Sequence, residues 1–385
     1  MKWRGPPPRS NIWIMPINPI GKINRKGTLG SYYSVSDYLA VNPEFGTAQD
    51  FHHLVNAIHA QGMKVIIDWV ANHTAWDHPW TVAHPEYYVH DAKGNFVAPV
   101  PDWADVIKLD YHNKQLRAEM IKSLEFWVTD YDIDGFRCDV AGMVPTDFWN
   151  EARKQLDQIK PVFMLAEAFE PELQEHAFDM TYGWQFKDVW GDIAKGKKNA
   201  ADLASYMRGE EAGYNPNSYR MLHTSNHDLN SWEGTEFDRL GNAAETFLVL
   251  SNTLKGMPLL YEGQEAGNAR ALSFFERDPI VWKDHPFRSL YTRLFHLKQR
   301  NHALWNGLYG GQPQLIKTSD DQHLFAFVRS KDGDQVIGIF NLSDAPRQFS
   351  TDDPALRGKF TDPLSGKSVT APHELKAWEY RLLVK

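Results

Sequence analysis

The chain has 385 residues, 42% of them hydrophobic and 23% charged, which allows one large domain, a small one and a real core. A net charge of −8 argues against nucleic acid or an acidic membrane as a partner held by bulk electrostatics, and no apolar run is long enough to span a bilayer. The single cysteine, Cys138, excludes an intrachain disulfide and fits a reducing compartment, so a cytoplasmic location is the default expectation.

The opening Met1-Lys2-Trp3-Arg4 leads into prolines rather than the apolar stretch of a secretory leader. The segment 11–16, NIWIMP, reads as a strand. Residues 47–62 have helical apolar spacing with a stop at Gly62. KVIIDWV (64–70) is a second strand, almost wholly apolar, as expected when both faces are covered. A polar and aromatic insertion runs to about residue 112, and 113–131 is an amphipathic helix. GFRCDV (135–140) is a third strand, 145–159 a helix opened by Pro145, and VFMLAEA (162–168) a fourth strand. A weaker strand falls near 178–184, and clearer ones at 220–226 and 258–263. Helices are expected at 241–255 and 287–301. Strands alternating with helices imply parallel βα units, closed as a barrel or wound as a large sheet.

After about residue 305 the pattern changes to short strands, at 324–330, 335–343, 358–363 and 377–385, with Asp332-Gly333 as a hairpin turn. The expected division is a βα portion over 1–305, interrupted by the polar and aromatic insertion at 74–112, and a small antiparallel β domain over 306–385.

Polar chemistry sits at the C-terminal ends of the apolar strands. KVIIDWV runs into Asn72 and His73, GFRC ends at Asp139, VFMLA at Glu167, and RMLHTS at His227 and Asp228. In a parallel barrel these ends share the face where active sites are built. Glycoside cleavage needs two carboxyls across the scissile bond, and a third can hold sugar hydroxyls. Arg137 precedes Asp139 by two residues, on the same side of a strand, where it is expected to keep Asp139 ionised. Apolar neighbours are expected to keep Glu167 protonated. His73 and His227 are expected to donate to sugar hydroxyls. Asp68 reads as structural, Cys138 as a small core residue. For Trp76, Trp80, Trp103 and Trp184, sugar stacking and plain packing are equally good readings. Glu262 and Glu265 lie at a strand end without a role.

These residues resemble the α-amylase family, family 13 of the glycoside hydrolases. DWVANH (68–73), GFRCDVAG (135–142), MLAEAF (164–169) and SNHD (225–228) look like its four conserved regions, in order. The resemblance implies Asp139 as nucleophile, Glu167 as acid/base and Asp228 as transition-state stabiliser, with Arg137 and His227 beside them. GSYYSVSDY (30–38) resembles the segment whose tyrosine stacks on the sugar, which makes Tyr33 that residue. GMPLLYEGQE (256–265) resembles the last barrel strand. The implied fold is a TIM (β/α)8-type barrel with a C-terminal antiparallel β-sandwich. Only about seven barrel strands are legible, so the first βα unit is expected to be lacking, leaving open strand edges and marginal stability.

The implied activity is retaining hydrolysis of α-1,4-glucosidic bonds in maltooligosaccharides or starch-like glucans. The alternatives are an α-glucan transglycosidase, of the branching or glucanotransferase kind, and a non-catalytic relative. The substrate is expected to be an α-glucan, with no nucleic-acid or membrane partner. Many relatives carry a Lys-His pair after the nucleophile, where this chain has Ala141-Gly142-Met143. That departure weakens the expectation of standard endo-hydrolysis and of a calcium ion. No cofactor is required; Ca2+ remains open through Asn72, with Asp102, Asp105 or Asp110 as oxygen partners.

Overall fold

A computed structural model describes residues 10–385. The opening residues 1–4, read above for a leader, and the proline run at 6–8 lie outside the described residues. The described residues form two compact units, one of 10–181 with Ser273–Arg277, the other of Tyr182–Leu272 with Asp278–Lys385.

The first unit is built on parallel strands β1 (Asn11–Ile14) and β2 (Lys64–Trp69), the latter next to β5 (Gly135–Cys138), then β6 (Phe163–Ala166) and β7 (Met180–Tyr182). Between β2 and β5 the insertion forms a separate ribbon, β3 (His73–Ala75) antiparallel to β4 (Val106–Lys108). Helices alternate with the strands where the apolar spacing predicts them. Helix α1 (Ala48–Ala60) opens on Thr47, whose capping box with Asp50 satisfies the first free amides. A four-residue helix, α2 (Trp80–Ala83), lies in the insertion. Helix α3 (Lys114–Tyr131) is capped by Asn113 and ends at Asp132 in the left-handed region. Helix α4 (Thr146–Ile159) follows Pro145.

The strands are short, and their register is set by close contact. Gly135 has φ 147°, and any Cβ there would lie 1.9 Å from the carbonyl oxygen of Phe163, so only glycine lets β5 approach β6 this way. The core under the sheet is aromatic: Trp69, Trp127, Trp149 and Phe148 are fully buried. Cys138 joins that core, fully buried, and burial pushes its thiol up.

The second unit carries two further parallel strands, β8 (Tyr219–Leu222) and β9 (Met257–Pro258). Strand β9 has two residues, far fewer than the apolar run at 258–263 predicts; the chain turns at Tyr261–Gly263, where Gly263 has φ 89°. Two helices that the sequence pattern does not announce, α5 (Trp184–Ala194) and α6 (Ala200–Gly213), precede β8. Helices α7 (Glu236–Leu240), α8 (Ala244–Thr253) and α9 (Pro286–Arg300) complete the helical part.

The tail of this unit is antiparallel. Strands β10 (Gln314–Ile316), β11 (Leu324–Lys331) and β12 (Asp334–Asn341) pair in sequence. Asp332 and Gly333, with φ of 53° and 91°, make the two-residue turn between β11 and β12. A six-stranded sheet and a separate two-stranded one, Arg347–Gln348 against Glu374–Leu375, account for the tail strands. Among the described residues, no helix is long and apolar enough to cross a membrane.

Candidate active site

In the first unit, the ends of β2, β5 and β6 bring three carboxylates to one guanidinium. Asp68 on β2 lies level with Arg137 on β5. Past the strand ends the backbone ladder continues: the Asp139 amide donates to the Trp69 carbonyl at 2.9 Å, and the Glu167 amide to the Cys138 carbonyl at 3.0 Å. These bonds place two carboxyl-bearing residues side by side at the strand tips.

Arg137 is fully buried and holds all three carboxylates. Its Nη1 lies 2.8 Å from Asp68 Oδ1 and 3.0 Å from Asp139 Oδ1, and its Nη2 lies 2.8 Å from Glu167 Oε2. A planar guanidinium suits this task, since its donors fan out in a fixed plane. Asp68, also fully buried, accepts from Trp13 Nε1 at 3.2 Å and from the Tyr33 hydroxyl at 3.1 Å. The guanidinium carbon lies 5.1 Å from the Trp13 ring centre and 5.6 Å from that of Tyr33. Trp13 and Asp68 are the members that reading the strand ends missed or set aside. The signal was available, because Asp68 is an acidic residue inside an otherwise apolar strand.

Glu167 is also held from the backbone. The Val140 amide donates to its Oε2 at 2.8 Å. Val140 makes that contact from φ 35°, ψ 47°, a left-handed conformation unusual for a β-branched residue. Such strain persists only where the surroundings over-determine it.

The surroundings of Asp139 act against the ionised form that Arg137 is expected to secure. Burial pushes its carboxyl well above the usual carboxylate range, and the Glu167 charge pushes the same way; Arg137 opposes both without overcoming them. Burial is the largest cause, and the negative charges of Glu167 and Asp68 around the same guanidinium add to it.

His73 is buried, and burial holds its imidazole down to about 3, so it is neutral at ordinary pH. Asn72 Nδ2 lies 3.2 Å from His73 Nδ1. The ring is also hydrogen-bonded to the Tyr33 backbone. Trp103 packs on His73, with ring centres 5.6 Å apart. Trp76 donates to the Ala104 carbonyl at 2.9 Å, and Trp80 packs against Tyr38 and Tyr87, so both serve the inserted segment. Tyr33 is buried, with Phe274 stacked on it at 6.2 Å.

Of the residues considered for calcium, three have other contacts. Asp105 pairs with Lys26 at 3.2 Å, Asp110 accepts from His112 at 2.8 Å, and Lys26 donates to the Asp102 carbonyl. No group of three or more His, Cys, Asp or Glu residues suited to a metal ion occurs among the described residues.

In the second unit, β8 runs into Ser225-Asn226-His227-Asp228. Asn226 Oδ1 accepts from the Leu229 amide at 2.7 Å, which starts a helical turn with His227 and Asp228 in it. His227 Nε2 lies 3.2 Å from Asp228 Oδ2, with the imidazole buried and the carboxylate 40% exposed. Trp184 packs edge-on against Tyr182. Burial, then the charge of Glu265, raises the Glu262 carboxyl.

Comparison with known proteins matches this chain to the catalytic domain of α-amylase, over residues 10–103 and 101–292. It is 27% identical over 407 aligned residues to Alpha-amylase 3 of Dictyoglomus thermophilum, covering 88% of this chain and 78% of that one. Among solved structures, a noncanonic maltogenic α-amylase, AmyB from Thermotoga neapolitana, aligns at TM-score 0.88 and 29% identity over 97% of this chain and 90% of its own. An α-amylase from Lactobacillus plantarum aligns at TM-score 0.87 and 30% identity over 98% and 91%.

Proposed function

Because the chain belongs to the α-amylase family of glycoside hydrolases, we propose that it cleaves α-1,4-glucosidic bonds in maltooligosaccharides by double displacement. One observation carries the proposal: the carboxyls of Asp139 and Glu167 stand on adjacent strand tips and share the Arg137 guanidinium. A pair of carboxyls on adjacent strand tips fits a retaining mechanism, in which one attacks and the other gives and takes the proton.

Asp139 takes the role of nucleophile. Its carboxylate forms a bond to the anomeric carbon as the glycosidic C–O bond breaks, and Glu167 protonates the departing oxygen. Glu167 then removes a proton from water, which attacks the anomeric carbon and releases Asp139 as a carboxylate. Substrate displaces water from the site and places positive charge at the ring beside Asp139, which favours its ionised form. Tyr33 offers a ring to the sugar, and His73 a donor to its hydroxyls. Asp228, beside His227, is assigned as the transition-state stabiliser.

Transfer to a sugar instead of water is the second reading. A cyclomaltodextrin glucanotransferase from Geobacillus stearothermophilus, 24% identical over 92% of this chain and 55% of its own length, supports keeping it. Digestion of maltoheptaose followed over time separates the two. Hydrolysis gives shorter α-anomeric products only; products longer than seven units indicate transfer, and β-anomers contradict double displacement.

A further inference from the structure

We propose that Trp232 is the stacking platform for a glucose unit next to the one Asp228 holds, and that it sets the chain-length preference. The inference rests on the α-glucan reading above. Residues 227–233 form one helical segment, ending in a π-turn over Leu229–Glu233. Side chains four apart on a helix share a face, so Trp232 stands over the same side as Asp228. Burial agrees. Leu229 and Asn230 point inward, while the Asp228 carboxylate is 40% exposed and Trp232 61% exposed.

A tryptophan that leaves most of its surface in water contributes little to the core. This one is nonetheless rigidly presented. Asn230 ties the turn down, accepting from the Leu272 amide at 2.8 Å and donating to the Arg270 carbonyl at 3.4 Å. Lys187 pairs with Glu233 at 3.3 Å. Gly234 ends the turn at φ 91°, and a Thr235–Asp238 capping box starts the next helix. Turns of the π type occur frequently at functional sites. A flat apolar ring one turn from a carboxylate matches a sugar, which has an apolar C–H face and a polar edge. The other strongly exposed tryptophan among the described residues, Trp282, lies in a segment without helix.

The test compares kcat/KM for maltoheptaose and maltotriose in the full chain, Trp232→Ala and Trp232→Tyr. The ratio of the two values falls roughly five- to tenfold in the alanine variant, the scale of one aromatic stacking contact, and recovers in the tyrosine variant. In the Asp139→Asn background, Trp232→Ala weakens maltoheptaose binding by a similar factor in calorimetry. An unchanged ratio, or a loss that tyrosine does not restore, overturns the proposal while leaving the glucan reading intact. A wild-type chain that neither cleaves nor binds these oligosaccharides overturns both.

Discussion

Arg137 Nη1 lies closer to Asp68, at 2.8 Å, than to Asp139, at 3.0 Å. The charge two residues before the nucleophile is therefore not the nucleophile's private counter-ion. It is the centre of a buried cluster in which Asp68 and Arg137 are fully enclosed, while Asp139 and Glu167 keep 9% and 11% of their side chains exposed.

Removing that centre costs stability as well as activity. Arg137→Ala leaves Asp68 charged and enclosed, and unfolding in urea shows a loss of about 3–5 kcal/mol, the scale for breaking a buried pair from one side. Arg137→Lys keeps the charge but cannot reach three carboxylates from one nitrogen; it retains most of the stability and loses turnover at least about tenfold. Full activity in the lysine variant contradicts the positioning role.

The raised Asp139 carboxyl gives a stability signature with a definite sign. A carboxyl whose folded value lies above its unfolded one, about 3.9, adds stability that is complete below about pH 4 and is lost as pH rises through the folded value. Asp139→Asn removes that loss. Thermal melts show the variant more stable than wild type at neutral pH, with the difference vanishing below about pH 4. A variant less stable than wild type at pH 7 contradicts the direction.

Val140 links backbone strain to Glu167. Val140→Gly relieves a left-handed conformation that costs about 1–3 kcal/mol, partly offset by the freer unfolded chain, so its melting temperature holds or rises. Val140→Pro removes the amide that reaches Glu167 Oε2 and forbids the local φ, and turnover is lost. A glycine variant that melts well below wild type contradicts the strain.

Chelation tests the donor set in the insertion. With Asp105 on Lys26 and Asp110 on His112, we expect EDTA to leave both turnover and melting temperature unchanged. A drop in either that calcium restores contradicts this. Lys26→Met then separates the readings, since it frees Asp105 and destabilises only if the lysine is its working counter-ion.

Much of this architecture was legible in the residues. Apolar strands such as KVIIDWV and GFRC are unambiguous because both faces are covered, and the helices between them carry caps at Thr47 and Asn113. The Asp332-Gly333 turn follows from the φ it requires. Helix α6 was not legible, because its polar, alanine-rich sequence shows little apolar periodicity. Strand β9 was overextended because apolar content alone does not distinguish a strand from a buried turn. The candidate site was legible as residue types at strand ends. Its electrostatics were not, since the sharing of Arg137 with Asp68 depends on register between strands far apart in sequence. Trp232 escaped notice because exposure has no sequence signature.

The central claim is that Asp139 forms the covalent bond to the sugar. The direct measurement is mass spectrometry of the intact chain and its peptides after reaction with a 5-fluoro-α-glucosyl fluoride, which slows breakdown of a glycosyl-enzyme. The account predicts one added sugar, carried on Asp139 within the peptide containing residues 135–142, and none in Asp139→Asn. A label on another residue, or undiminished turnover of maltooligosaccharides by Asp139→Asn, contradicts it.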